Sequence, residues 1–313
     1  MSTTKRKTTK HPKTSKLTST SRTTASLTES ASSFGDPAFF PFGRYTGIVG
    51  VHTSLLLYIL LFLPRSTKGW LVDDETEMRI KFTSTSRDRP QHPFLEAITV
   101  DPAITVATVC VGVGVVQAWW GWFVRGWWVD FSVWGLGGAG GGDGRVEKWE
   151  LERDKAVQLG KAWLFTMAAS IPLHVFLVML GAPVSTHIPQ TYFLALLLSI
   201  LILFTPAFVF GLPSLSSNTE ALLIRLTWVR LFSEFSIRTP VERAILYPAL
   251  GTVVGCWLGA IPIALDWDRP WQAWPLPPLF GAVLGYIVSS ITALTVSAIK
   301  ALADDHIRSL KAE

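Results

Sequence analysis

The chain alternates six long apolar runs with shorter polar stretches. The runs cover about Tyr45–Leu63, Ile98–Val124, Ala162–Gly181, Thr191–Leu212, Ala244–Leu265 and Leu276–Ile299. Each is near the ~20 residues with which a helix crosses ~30 Å of hydrocarbon. Within them apolar residues are contiguous instead of recurring at a helical or strand period, so none reads as one face of a soluble element. A helix satisfies its own backbone polar groups and is the expected spanning element. The pattern predicts an all-α fold, a polytopic membrane bundle of about six transmembrane helices. Asp101-Pro102 interrupts the second run and marks where its embedded part is expected to begin.

The polar stretches differ in kind. Residues 1–40 are rich in Ser, Thr, Lys and Arg, with almost no large apolar residue before Phe34. Such a segment buries too little surface to offset its ordering entropy, so a disordered tail is expected. It is basic but has no apolar core close behind, unlike a cleavable signal peptide. Residues 135–144, Gly-Leu-Gly-Gly-Ala-Gly-Gly-Gly-Asp-Gly, read as a flexible linker. No strand precedes them and no Gly-Lys-Ser/Thr follows, which excludes a phosphate-binding loop. Ser217-Asn218-Thr219-Glu220 resembles a capping box and opens an amphipathic helix over 218–235. There Leu222, Leu226 and Val229 share one face, with Arg225 near the water boundary, as in a helix lying in the headgroup layer. The expected plan is a tail over 1–40, a six-helix transmembrane domain over 41–300 and a second tail over 301–313. The domain holds the linker 135–144, the interfacial helix 218–235 and a turn over 266–275.

Composition agrees with the pattern. Of 313 residues, 49% are hydrophobic and only 16% charged, against about 25% charged in soluble domains. The net charge of +5 would suggest nucleic acid in a soluble protein, but here the basic residues follow membrane topology and no nucleic acid is expected. The N-terminal tail, second loop, fourth loop and C-terminal tail hold 8, 6, 4 and 3 Lys and Arg, while the first, third and fifth loops hold 6, 0 and 1. By the positive-inside rule both termini are cytosolic, and the 266–275 turn lies on the far side, lumenal in an endomembrane. Cys110 and Cys256 both fall inside apolar runs and form no metal or disulfide pattern.

Candidate chemistry is sparse. The chain has no Gly-x-Ser-x-Gly, His-Glu-x-x-His or Cys-x-x-Cys motif, so no catalytic residue, cofactor or metal site is expected. His52 and His174 lack a second ligand at helical spacing and read as hydrogen-bonded structural histidines. Asp101 and Gln117 are expected to find bundle partners or to line a polar cavity. Ile171-Pro172 and Thr205-Pro206 are expected to kink their helices.

The turn is unusual. Most turns use Gly, Asn, Ser and Pro, whereas this one reads Asp266-Trp267-Asp268-Arg269-Pro270-Trp271-Gln272-Ala273-Trp274-Pro275. Asp266 and Asp268 would need ligands from another loop, such as Asp73, Asp74 or Glu75, to hold a metal; an ion-paired structural turn is the plainer reading. Trp267, Trp271 and Trp274 suit the membrane interface, and equally stacking on a sugar or clamping a lipid headgroup. The preceding run repeats Gly251, Gly255 and Gly259, and the following one Gly281 and Gly285. Such faces let helices approach backbone to backbone. From the sequence, docking of a partner and internal packing stand equal.

Glu242, Pro248, Gly251, Gly255, Trp257, Gly259, Pro262 and Leu265, the unbroken Asp266–Gln272, and then Trp274-Pro275 resemble the C-terminal signature of the PIG-F family. The likeness is strong over Glu242–Tyr286 and weaker back to Tyr45; the Ser/Thr/Lys tail and glycine linker suit a fungal member. The resemblance implies an endoplasmic reticulum protein of glycosylphosphatidylinositol (GPI) anchor biosynthesis. It implies a non-catalytic subunit that stabilises the large ethanolamine-phosphate transferases, PIG-O-like or PIG-G-like. Those partners move ethanolamine phosphate from phosphatidylethanolamine to the second or third mannose of the GPI precursor. On that reading Gly251, Gly255, Trp257, Gly259 and Asp266–Trp274 are expected to face the partner or a membrane lipid, with phosphatidylethanolamine and the GPI precursor the candidate lipids. The rival readings are a catalytic co-subunit using Asp266 and Asp268, and a lipid-moving protein built on Asp101, Gln117 and His174.

Overall fold

The computed structural model describes residues 40–71, 93–137, 154–214, 216–265 and 267–312. The expected N-terminal tail up to Phe39, Asp73–Glu75 and Asp266 lie outside the described residues. The chain begins with α1 (Phe42–Leu61), which turns at Phe62 into α2 (Leu63–Leu71). Next come the short α3 (Pro93–Thr99) and the long α4 (Pro102–Gly137). They are followed by α5 (Lys155–Met179) and α6 (Ile188–Phe210). The order closes with α7 (Thr219–Phe232), α8 (Pro240–Ala260) and α9 (Leu276–Ala312). Six of these, α1, α4, α5, α6, α8 and α9, are long and apolar enough to cross a membrane. No strand occurs among the described residues.

The most apolar helix, α6, lies at the centre. Leu194, Ala195, Leu197, Phe204 and Phe208 are fully or almost fully buried, and α4, α5 and α8 pack around it. The outermost helix is α5, which fully buries only Ala162, Thr166 and Ser170, one residue per helical turn, while Trp163, Leu173 and Leu177 pack on the core from its edge. Its other side leaves Leu164, Ile171 and Met179 exposed, as lipid-facing residues are. Pro172 sits inside α5. The break expected at Thr205-Pro206 is a π-helical segment, Ile200–Phe204, directly before the proline. Proline offers no N–H and its ring crowds the carbonyl four residues back; a wider turn relieves both.

A polar layer crosses the apolar core. The Gln117 side-chain oxygen accepts from Thr205 Oγ1 at 3.2 Å and Tyr286 Oη at 3.4 Å. His52 is fully buried and stacked on Trp120, ring centroids 4.7 Å apart. Neither of its nitrogens has a hydrogen-bond partner, which departs from the expected hydrogen-bonded histidine. Half-buried His174 lies edge-on to Tyr192 at 6.1 Å.

Several extents differ from expectation. Asp101, expected to meet a bundle partner or a polar cavity, caps α4 instead: its Oδ1 accepts from the Ala103 and Ile104 amides. The helix then runs past Val124 to Gly137 and takes in the first three residues of the expected linker, the rest of which lies outside the described residues. Arg125 is buried inside α4 instead of opening a loop, and donates to the Phe208 carbonyl of α6. The expected tail over 301–313 is helical through Ala312. Hydropathy marks the stretch that matches hydrocarbon, not the end of the hydrogen-bonded helix.

The amphipathic helix forms as α7, with Asn218 as its cap, accepting from the Ala221 amide at 3.0 Å. Leu222, Leu226 and Val229 are exposed together with Leu223, while Ala221 and Leu231 are buried on the other side. Trp228 Nε1 donates to the Gly211 carbonyl and holds the helix to the end of α6.

Candidate functional site at the tryptophan-rich turn

The site is built on the α8–α9 pair, and that pair is built on glycine. Methyl groups added to Gly251, Gly255 and Gly259 would strike the backbone of Gly285, Gly281 and Pro277 on α9. Gly281 and Gly285 are closed reciprocally by Gly255 and Gly251. Both glycine faces are therefore filled within the chain, and the internal-packing reading of the two prevails. These glycines bring α8 and α9 into backbone contact inside the bundle.

The start of α8 is fixed separately. Thr239 and Glu242 form a reciprocal capping box. The Glu242 carboxylate, 1% exposed, also accepts from the Arg238 amide and forms an ion pair with Arg230 of α7. Nearby, buried Arg243 donates to Ser297 Oγ of α9 at 2.8 Å. Two cations of the fourth loop thus serve as internal braces.

At the other end α8 tightens into a 3₁₀ turn, Ile261–Ala264, and a second one, Pro270–Gln272, precedes α9. Gln272 organises the space between them. Its Nε2 donates to the Pro262 and Leu265 carbonyls at 2.6 and 2.7 Å, and its Oε1 accepts from the Arg269 amide at 2.8 Å. Trp274 Nε1 donates to Thr191 Oγ1 at the start of α6, 2.9 Å away, and α3 packs against the Pro270–Gln272 turn. The loop is therefore held from both sides.

This clamp displays its charges outward. Asp268 has φ +48°, a left-handed conformation that Asp tolerates better than most residues. Asp268 and Arg269 are both exposed. Neither the Asp268 carboxylate nor the Arg269 guanidinium has an ion-pair or hydrogen-bond partner among the described residues. For Asp268 that differs from the expected ion-paired turn; Asp266, the other acid of that expectation, lies outside the described residues. In the same turn the rings of Trp267 and Trp271 lie 5.8 Å from each other. Trp257, on the outward side of α8, is 69% exposed.

Of the expected site residues, the turn brings together Trp267, Asp268, Arg269, Pro270, Trp271, Gln272 and Trp274. It leaves Trp257 on the outer helix surface and Gly251, Gly255 and Gly259 inside. The sequence reading missed Gln272 as the clamp and Thr191 as the anchor. It also missed the Arg230–Glu242 brace, although Thr239-Pro240-Val241-Glu242 carried the capping signal. No group of three His, Cys, Asp or Glu placed to hold a metal occurs among the described residues.

Six apolar helices with a polar layer in their core, the last two joined by an aromatic turn, define a multi-pass helical membrane protein. Its sequence matches the model of the GPI biosynthesis protein family Pig-F over residues 91–294, and the chain belongs to that family. It is 39% identical over 140 residues to glycosylphosphatidylinositol anchor biosynthesis protein 11 of Candida albicans, covering 44% of this chain and 49% of the relative. It is 33% identical over 131 residues to the human GPI ethanolamine phosphate transferase, stabilizing subunit, covering 42% and 55%. A match of 37% over 125 residues joins it to the PIGF/3-ketodihydrosphingosine reductase fusion protein of Schizosaccharomyces pombe, covering 40% and 23%. The chain spans about half the length of the first two relatives. No solved structure matches it.

Proposed function

We propose that this chain is a non-catalytic, stabilising subunit of a GPI ethanolamine-phosphate transferase. The observation that carries the reading is family membership, together with the human and mouse relatives named as stabilizing subunits of that transferase. The location is the endoplasmic reticulum membrane, with both termini cytosolic and the tryptophan-rich turn lumenal. Catalysis belongs to a large partner chain, PIG-O-like or PIG-G-like, which uses phosphatidylethanolamine as donor.

With the glycine faces consumed internally, contact with the partner falls to the outward side of α8 and to the turn. Leu250, Val253, Val254, Trp257 and Leu258 are exposed there. Exposed apolar side chains on a spanning helix suit either lipid or another helix; a subunit needs at least one such face for its partner.

Purification of the tagged chain in mild detergent should recover an ethanolamine-phosphate transferase, and depletion of the chain should lower the abundance of that enzyme. Trp257→Ala should reduce the recovery while the chain itself stays folded. Depletion that leaves transferase level and activity unchanged overturns the reading.

A further inference from the structure

The turn carries two exposed and opposite charges on consecutive residues, Asp268 and Arg269, neither of them paired among the described residues. From this juxtaposition we infer that Trp267–Gln272 binds the headgroup of a zwitterionic phospholipid, with its phosphate on Arg269 and its ammonium on Asp268.

Position comes first. The helical path of α8 ends at Ala264 and α9 begins at Leu276, so the turn joins two spanning helices at one edge of the bundle. That edge is where phospholipid headgroups lie. Trp267 and Trp271 fit the same depth, since an indole sits at the boundary of acyl chain and water.

Charge comes second. A guanidinium forms paired hydrogen bonds to phosphate oxygens, and a carboxylate attracts an ammonium group. An anionic lipid would satisfy Arg269 but be repelled by Asp268. A metal cation would meet the reverse conflict. Only a ligand carrying both signs side by side meets the two together. The indoles of Trp267 and Trp271 in the same turn suit a cationic headgroup as well.

Rigidity comes third. The Gln272 hydrogen bonds and the Trp274–Thr191 bond hold this backbone before any ligand arrives. A preorganised loop loses less entropy on binding. It also holds the two backbone positions that carry the opposite charges in a fixed relation, which favours a headgroup over a single charge.

The inference goes beyond the subunit reading and stands or falls separately, because its test needs no transferase. The full chain in detergent is offered phosphatidylethanolamine, phosphatidylcholine and phosphatidylglycerol in equal amounts, and bound lipid is read by native mass spectrometry. Soluble phosphoethanolamine serves as competitor. The wild-type chain should retain the two zwitterionic lipids over phosphatidylglycerol, and the soluble competitor should displace them poorly. Arg269→Gln should weaken retention of all three lipids about tenfold, the worth of one charged hydrogen bond. Asp268→Asn should abolish the preference for zwitterionic lipid, and Asp268→Gly, which suits the left-handed backbone, should do the same. Unfolding temperature and elution volume of each variant report its folding. A folded Asp268→Asn, Arg269→Gln double variant that binds like the wild type overturns the inference. So does a wild-type preference for phosphatidylglycerol, or equal binding of soluble phosphoethanolamine.

Discussion

Gly255 of α8 and Gly281 of α9 face each other so closely that a methyl group on either would run into the carbonyl of the other. Gly251 and Gly259 continue this contact one turn away on each side, against Gly285 and Pro277. In lipid there is little hydrophobic force between helices, so close backbone packing of this kind is what joins them.

Gly255→Ala should therefore destabilise the protein by about 1–3 kcal/mol, the usual range for overpacking, and Gly255→Leu should prevent folding. Gly47 on α1 is the control, since a Cβ there would meet nothing within 4 Å. Thermal unfolding in detergent compares the two. Equal losses from Gly255→Ala and Gly47→Ala would refute the packing account.

The Arg230–Glu242 ion pair ties α7 to the start of α8. Glu242→Ala removes the pair, the acceptor of the Arg238 amide and half of the capping box. A loss of about 2–4 kcal/mol is expected, below the full value of a buried pair because Arg230 is 16% exposed. Hydrogen exchange should rise first in α7. Protection of α7 unchanged in the variant would show that the brace does not hold it.

His52 contributes through its ring and not its nitrogens, neither of which has a partner. His52→Phe keeps the stack on Trp120 and removes two unsatisfied polar atoms. The expected change in stability is neutral to a gain of about 1 kcal/mol. A clear loss would mean that the imidazole makes a hydrogen bond which the protein partners alone do not supply.

Gln272→Ala removes three hydrogen bonds that span the turn. The expected loss is about 1–3 kcal/mol, with amide exchange rising between Leu265 and Gln272. Trp274→Phe should lose about 1 kcal/mol, through the bond to Thr191 alone. Exchange that rises equally throughout α8 and α9 would show that the clamp supports the pair as a whole.

The six spanning helices were legible because contiguous apolar residues have few other uses. Their ends were less so: Gly135–Gly137 and the residues after Ile299 look like non-membrane sequence, yet backbone hydrogen bonding carries α4 and α9 through them. The turn announced itself by composition. What its residues do depended on contacts distant in sequence, such as Trp274 with Thr191, which no local pattern reveals. The glycine repeat was visible, but whether another chain or this one fills it is a question of tertiary structure. Asp101 was misjudged for a similar reason: a carboxylate before a proline suits a cap as well as a polar cavity, and the Ala103 and Ile104 amides make it a cap.

The π-helical segment Ile200–Phe204 has a rotational consequence. One extra residue in a helical turn displaces everything beyond it by about 100° around the axis. Leu194, Leu197 and Leu198 join the core shared with α1, α4 and α9, whereas Phe204, Ala207 and Phe208 pack with Ala162 of α5. Deleting Leu203 would remove the surplus residue while leaving Pro206 in place. It would swing Phe208 and its carbonyl away from Arg125 and strand that cation in the bundle. The single surplus residue thus sets the phase between the two halves of the central helix.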